Sequence, residues 1–255
     1  MQKRWKITIE YKGTDYYGWQ RQPNVPTIQQ AIEEAIYKFC QKEIGILCAG
    51  RTDAGVHATG QVAHFDLDYG ERALDGYSLT KALNAHLRPQ PIAIVHAEEV
   101  ADDFHARFGA VNKLYRYRII QRTGFLALEQ GLAWHFKRPL DIEAMREAAK
   151  YLLGKHDFTT FRDNECQAKS PVRTLDRLDI IERPYDVCGG KEIMIEPEAQ
   201  SFLHHQVRNM VGTLALVGEG KWKPEDVKTA LEAKSRTAGG PTAPSDGLYL
   251  VRVDY

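Results

Sequence analysis

The clearest candidate for chemistry is a single carboxylate, Asp53, in the segment GRTDAGVHA at residues 50–58. Arg51 precedes it by two residues and Gly55 follows it by two. Gly50 and Gly55 allow backbone angles that are closed to other residues, so the segment predicts a bent loop that presents the acid. An ion pair between Arg51 and Asp53 in an ordinary turn is the alternative, and this stretch alone favours that simpler interpretation.

A lone carboxylate restricts the chemistry that such a loop can support. Hydrolysis of a glycosidic bond normally requires two carboxylates. Asp66 and Asp68 are candidates for the second, but they lie in an alternating segment that predicts a strand with both acids facing solvent.

Aromatic and basic residues alternate between Lys113 and Arg118. In a strand, Lys113, Tyr115 and Tyr117 share one face, whereas Arg116 and Arg118 share the other. Aromatic side chains on a sheet surrounded by arginines suit stacking on unpaired bases. Packing of the tyrosines in a core is the simpler interpretation of this strand by itself.

Arg208 is the third candidate, in the segment SFLHHQVRNMVG. The apolar residues around it recur at steps of three and four and predict a helix, and Arg208 lies off their stripe. Helix geometry alone favours a solvated surface arginine. The functional alternative is a fixed cation that pairs with a buried carboxylate and keeps it ionised.

Charge and composition restrict the class of protein. The formal net charge of zero argues mildly against a nucleic-acid-binding protein. However, the stretch from Arg107 to Leu128 contains five basic residues and no acid. A solvated basic face is the commoner explanation of such a run, and contacts with phosphate groups are the functional one.

Cysteine and histidine spacing predicts neither a disulfide framework nor a metal site. The four cysteines form no C-x-x-C pair, and the adjacent His204 and His205 are predicted to point in different directions. No apolar run is long enough to span a bilayer, and the segment MQKRWKITIE lacks the apolar core of a secretory signal. We therefore expect a cytoplasmic protein that has no membrane association.

Apolar periodicity predicts the elements that position these residues. In the first half they follow the order β-α-β-β-α-β at residues 5–11, 28–40, 46–49, 61–67, 78–87 and 92–100. Thr27 and Ser78 are predicted to cap the two helices, and Pro89 to end the second. The second half repeats the order, with strands at 107–120, 174–181, 192–195 and 247–255. Asp141 is predicted to cap its first helix, with Gly154 at the C-terminal stop, and its second helix spans 203–217. This pattern predicts an α+β fold of two ferredoxin-like halves, residues 1–105 and 106–255.

Five segments in order resemble the tRNA pseudouridine synthases of the TruA family. They are YKGTDYYGWQRQ, GRTDAGVHATGQVAHFD, KLYRYRI, SFLHHQVRNMVG and AGGPTAPSDGLYLVRV. The resemblance covers nearly the whole chain, and GRTDAGVHA is its most specific part. Lys12 stands where the family more often has aspartate and Gln206 where it usually has methionine, but neither position is a proposed catalytic one.

The resemblance implies roles for the candidate residues. Asp53 is the catalytic carboxylate, Arg208 pairs with it, and Tyr115 stacks on the uracil and assists proton removal from C5. Arg51 holds the target uridine outside the helix, and Leu248 packs beneath the base. Lys113 and Arg107, from the basic stretch, are expected to contact the RNA.

The family's substrate is the tRNA anticodon stem-loop, in which it converts the uridines at positions 38, 39 and 40. The resemblance also implies a homodimer without cofactor or catalytic metal. It further implies that the two halves form one continuous, mainly antiparallel sheet with helices on one face and a central basic RNA-binding cleft. Two other functions remain open on the residues: a non-catalytic RNA-binding protein and a nucleosidase-type hydrolase.

Overall fold

The structure is a computed structural model that describes residues 2–70 and 74–255. The chain divides into two compact units. The first comprises the residues up to Val111 together with Tyr249–Tyr255, and the second comprises Asn112–Leu248. Both units combine helices with mainly antiparallel strands, which confirms the predicted α+β class. Within the described residues, no helix is both long and apolar enough to cross a membrane.

The first unit is built around three long antiparallel strands. Its elements are β1 (Gln2–Tyr11), α1 (Ile28–Cys40), β2 (Leu47–Cys48), β3 (His57–Asp68), α2 (Gly76–Leu87) and β4 (Ile92–Val100). Strand β1 lies between β3 and β4, and β2 pairs with β3. Trp5, Ile7 and Ile9 are fully buried on one face of β1, as their alternation predicts.

The second unit has its own strands and helices. They are β5 (Asn112–Gln121), β6 (Trp134–Phe136), α3 (Ile142–Lys150), β7 (Gly154–Asp157), β8 (Val172–Leu175), β9 (Arg177–Pro184), β10 (Lys191–Ala199), α4 (Gln206–Gly218) and α5 (Pro224–Glu232). Strand β10 lies between β5 and β9 and is antiparallel to both. The last strand is β11 (Leu248–Asp254), in which Tyr249 and Leu250 pair with the start of β3 in the first unit.

Helix capping follows the sequence at two of three predicted positions. The Thr27 hydroxyl accepts the N–H of Gln30, and the Asp141 carboxylate accepts that of Ala144. The predicted Ser78 cap is wrong, because Asp75 is the cap and accepts the N–H of Ser78 at 2.7 Å. Helix α2 begins earlier than predicted, at Gly76, where a Cβ would lie 1.9 Å from the carbonyl oxygen of Ala97.

Three other predicted elements also differ from the structure. The strand predicted at 107–120 begins only at Asn112, because residues 105–109 form a turn around His105. The strand predicted at 174–181 is divided at Asp176, whose N–H donates to the Glu198 carbonyl, into β8 and β9. Helix α3 ends before Gly154, which instead begins β7 with a φ of +92°. The two ferredoxin-like halves and the continuous sheet stay predictions.

Candidate active site

Asp53 lies in the first unit, in the loop between β2 and β3. Its side chain is half-buried, and Arg51 is exposed. The Val56 N–H donates to the Asp53 carbonyl at 3.2 Å, and Gly55 has a φ of +79°. The loop is therefore bent as predicted, and Gly55 supplies the backbone conformation that other residues rarely adopt.

Backbone hydrogen bonds from the segment YKGTDYYGWQ hold this loop. The Trp19 N–H donates to the Thr52 carbonyl at 3.0 Å, and the Gly55 N–H donates to the Tyr16 carbonyl at 3.2 Å. These two bonds lie on either side of Asp53. The carboxylate is therefore attached to a backbone that a second part of the chain fixes at both ends.

Two glycines allow the segments to approach so closely. A Cβ on Gly13 would lie 2.0 Å from the Val56 carbonyl oxygen. A Cβ on Gly18 would lie 2.7 Å from the Thr52 carbonyl oxygen and 3.1 Å from the Asp53 carbonyl carbon, and Gly18 has a φ of +87°. A larger residue at either position would require the glycine backbone or the Asp53 loop to move.

Side chains of the flanking strands complete the support. The hydroxyl groups of Tyr11 and Thr52 are hydrogen-bonded at 2.8 Å, and Gln61 donates its amide to the Gly50 carbonyl at 2.7 Å. Burial raises the pKa of Tyr11 above its ordinary range, so its phenol stays neutral and keeps this bond. Sequence reasoning assigned none of these residues a role, because their contacts join segments up to 50 residues apart.

In the second unit, the tyrosine face of β5 is largely buried. Tyr117 is fully buried and donates its hydroxyl to the Pro244 carbonyl at 2.7 Å, so the packing interpretation is correct for this residue. Tyr115 is 9 % exposed and meets the Phe202 ring edge to face, with centroids 5.2 Å apart. Lys113 is also buried.

Arg208 lies on the first turn of α4 and is half-buried. Its Nε donates to the Ala243 carbonyl at 2.8 Å, and its own carbonyl accepts the Ala243 N–H at 3.1 Å. Arg208 is therefore held against the segment AGGPTAPSDG, residues 238–247, and is not the freely solvated arginine that helix geometry alone favoured.

The next residue, Asn209, binds the same segment through its buried side chain. Its Oδ1 accepts the Thr242 hydroxyl at 2.7 Å and Arg236 Nη2 at 3.1 Å, and its Nδ2 donates to the Phe161 carbonyl at 2.8 Å. One turn later, a Cβ on Gly212 would lie 1.8 Å from the Pro241 carbonyl oxygen. Helix α4 thus fixes the segment that leads to the buried Leu248.

Asn209→Ala is expected to destabilise the protein by about 2–4 kcal/mol, because it leaves the buried Phe161 carbonyl without its donor, at about 1–3 kcal/mol, and removes the weaker hydrogen bonds to Thr242 and Arg236. Denaturant unfolding measures the change. Thr229→Ala is the control, since it removes an exposed hydrogen bond and should cost less than about 0.5 kcal/mol. Equal stability of the two variants would contradict the anchoring role of Asn209.

The adjacent histidines before α4 do not point in different directions as predicted. Their rings are 4.0 Å apart and inclined by 33°. His205 adopts a φ of +60°, which brings its ring beside that of His204, and its Nδ1 lies 2.7 Å from an Asp163 carboxylate oxygen. The prediction assumed regular helix or strand geometry, which the left-handed conformation of His205 breaks.

Ion pairs neutralise much of the predicted basic stretch. Arg116 pairs with Glu196 at 2.6 Å, Arg118 with Glu192 at 2.6 Å, and Arg122 with Asp186 at 3.4 Å. Although burial opposes it, hydrogen bonds from Arg118 and Arg183 hold the pKa of Glu192 below its ordinary value, so the buried pair is ionised. Arg107 lies outside this strand and is exposed, with no acid paired to it within residues 2–70 and 74–255.

The chain, with its two α+β units and the bent loop that presents Asp53, is similar to a family of known proteins. A family model described as tRNA pseudouridine synthase matches residues 7–109 and 148–255. The match covers more than half of the chain, and the chain belongs to this family. The resemblance predicted from the five segments is confirmed.

Individual relatives are named tRNA pseudouridine synthase A. The protein from Rhodospirillum rubrum is 54% identical over 252 residues, which cover 99% of this chain and 87% of the relative. The protein from Rhodopseudomonas palustris strain BisA53 is 56% identical over 252 residues, with 99% of each chain covered. The protein from Rhizobium meliloti is 53% identical over 254 residues, again with 99% of each chain covered.

Proposed function

We propose that this protein isomerises uridine to pseudouridine at positions 38, 39 and 40 of the tRNA anticodon stem-loop, with Asp53 as the catalytic carboxylate. The observation that carries the proposal is the set of backbone contacts that hold the Asp53 loop in place. The hydrogen bond that the Tyr16 carbonyl accepts, the one that the Trp19 N–H donates and the close approach of Gly18 fix the backbone around Asp53. Such preorganisation is what a catalytic group requires.

The proposed reaction suits a site with one carboxylate. The N1–C1′ bond breaks, the uracil turns, a C5–C1′ bond forms, and the hydrogen on C5 is released and replaced at N1 by a proton from solvent. No electrons are transferred to or from the base overall, and no water is added. Asp53 acts either by adding to C1′ or by removing a ribose proton to give a glycal, and both routes need the ionised form.

A base within a helical stem must leave the stack before it reacts. We propose that Arg51 occupies the space that the target uridine leaves, that Tyr115 stacks on the uracil and assists proton removal, and that Leu248 packs beneath it. Arg208 is the proposed cation partner that keeps Asp53 ionised. Lys113 and Arg107 are proposed RNA contacts, and the enzyme is proposed to act as a cytoplasmic homodimer without cofactor or metal.

Tritium release tests the proposed reaction. The protein is incubated with unmodified tRNA that carries 5-tritiated uridine, and both released tritium and free uracil are measured. We expect stoichiometric release of tritium from the target positions without free uracil. Free uracil would identify a nucleosidase-type hydrolase instead, and binding without either product would identify a non-catalytic RNA-binding protein.

Arg208→Lys is expected to lower kcat by about 10–100-fold, the effect of losing a charge-assisted hydrogen bond of about 1.5–3 kcal/mol. Lysine keeps the charge but lacks the planar guanidinium, which also donates to the Ala243 carbonyl. Single-turnover kinetics measure the change, and the unfolding midpoint shows whether the fold is retained. A folded variant with the wild-type kcat would exclude Arg208 from catalysis.

Only the basic residues without an acid partner should contribute to the salt dependence of tRNA binding. The association constant K for tRNA falls as salt rises. Arg107→Ala is expected to make this fall of log K against log [salt] shallower by about 0.7–0.9, the value for one phosphate contact. Arg116→Gln is the comparison, because Glu196 already neutralises Arg116, and its slope should not change. Equal changes in the two variants would contradict this assignment.

A further inference from the structure

An exposed phenylalanine in the first unit has no role in the reaction proposed above. Phe108 is 79 % exposed and lies in the turn of residues 105–109, which we call the Phe108 turn. An isolated apolar side chain on a surface is common. The Phe108 turn differs because it is held in one conformation and lies beside a cation.

His105 organises the turn. Its Nδ1 accepts the N–H groups of Arg107 at 3.1 Å and Phe108 at 3.2 Å, and its carbonyl accepts the N–H of Gly109 at 2.8 Å. The rings of His105 and Phe108 are 4.4 Å apart and inclined by 37°. The phenylalanine is therefore supported by the imidazole while most of its surface stays open to solvent.

Further hydrogen bonds attach the turn to the sheet of the same unit. The Ala106 N–H donates to His64 Nδ1 at 3.2 Å, and the Ala106 carbonyl accepts the Tyr255 hydroxyl at 2.8 Å. Arg4 donates to the Phe104 carbonyl at 3.0 Å. These bonds limit the freedom of the loop. The loop would therefore lose less conformational entropy when an RNA base binds to Phe108.

The turn lies near the beginning of the Asp53 loop. His64, which anchors it, is adjacent to Ala63, the β3 partner of Cys48. Burial raises the pKa of Cys48 to about 11, and the positive charges of Arg51 and Arg107 oppose this rise. The Arg107 guanidinium is also 5.9 Å from the centroid of the Phe108 ring.

We propose that the Phe108 turn is a stacking platform for an unpaired base of the tRNA substrate, outside the position of the reacting uridine. This inference rests on the proposed function. An aromatic face beside an arginine is the combination that binds unpaired bases, with the cation beside the phosphate backbone.

The test measures tRNA affinity at fixed salt for wild type, Phe108→Ala, Phe108→Leu and Phe108→Trp. Loss of one stacked base is expected to weaken binding by about 5–100-fold in the alanine variant. Leucine should behave like alanine because it has no aromatic face, and tryptophan should restore wild-type affinity. Phe125→Ala removes a similarly exposed ring from the second unit and should not change the affinity.

Wild-type tritium release in the same preparations separates the two proposals. Active wild type together with an alanine variant of unchanged affinity would overturn the platform and leave the proposed function intact. Inactive wild type would overturn the proposed function. Wild-type affinity in the leucine variant would show a non-aromatic contact and overturn the platform. The platform would also be overturned if the RNA-free alanine variant and the RNA-free wild type differed in sedimented mass, because that difference would indicate a protein contact.

Discussion

Asp53→Asn is expected to abolish pseudouridine formation while tRNA still binds with an affinity within a few-fold of wild type. The amide has nearly the same shape, so the loop and its bonds to Tyr16 and Trp19 should persist, but it cannot add to C1′ or accept a ribose proton. The loss should reach at least about 10²–10⁴-fold in kcat, the range for a positioned acid–base group. Single-turnover tritium release and a filter-binding affinity measure the two quantities.

Asp15→Asn is the matched control for this substitution. Asp15 belongs to the segment that supports the loop, but its side chain is exposed. Its replacement should leave both kcat and affinity unchanged. Turnover by Asp53→Asn close to that of wild type, after exclusion of deamidation by mass spectrometry, would show that another group performs the reaction.

Gly18→Ala is expected to lower kcat by about 10²-fold, the cost of misplacing a reacting group by about 1 Å. The new Cβ would lie 2.7 Å from the Thr52 carbonyl oxygen, so either this carbonyl or the Gly18 backbone must move. A shift of Thr52 displaces Asp53, the next residue. The affinity for tRNA should change little, because the substitution leaves the proposed RNA-contacting side chains in place.

Gly220→Ala separates this effect from backbone strain. Gly220 has a φ of +70°, close to that of Gly18, but its added Cβ would have no heavy atom within 4 Å. Both variants should lose stability through the positive φ, by about 1–2 kcal/mol. Only Gly18→Ala should lose activity when both are folded. Equal activity of the two variants would exclude a positioning role for Gly18.

Local patterns predicted the elements whose signals lie within a few residues. The alternation around Ile7 and the caps at Thr27 and Asp141 act over one turn or one strand, and the structure confirms them. Helix α5 was not predicted, although Pro224 at its first position and the acids that follow it form a recognisable helix start.

The errors come from interactions that local patterns do not contain. Residues 105–109 have a composition compatible with a strand, but the imidazole of His105 captures two backbone N–H groups and forms a turn. Ser78 has the chemistry of a cap, but Gly76 permits a close approach to Ala97 and places Asp75 at the start of α2. The side-chain acceptor of His105 therefore determines the turn at 105–109, and the missing Cβ of Gly76 determines where α2 begins.

The candidate site shows the same division. Asp53 could be proposed as a site residue because its glycine-rich motif is contiguous in sequence. Its support was not, because Trp19 and Tyr16 act through backbone groups that any residue possesses. In the sequence, Gly13 and Gly18 are simply two glycines in a loop. Only the fold shows that each of them lies against the backbone of the Asp53 loop.

The most direct test of the proposed function is to map pseudouridine in a tRNA transcript with uridines at positions 38, 39 and 40 after incubation with the purified protein. Carbodiimide modification followed by reverse transcription locates each pseudouridine. We expect stops that report all three positions with wild type and none with Asp53→Asn. Absence of pseudouridine at these positions with folded wild-type protein that binds the transcript would contradict the proposed function.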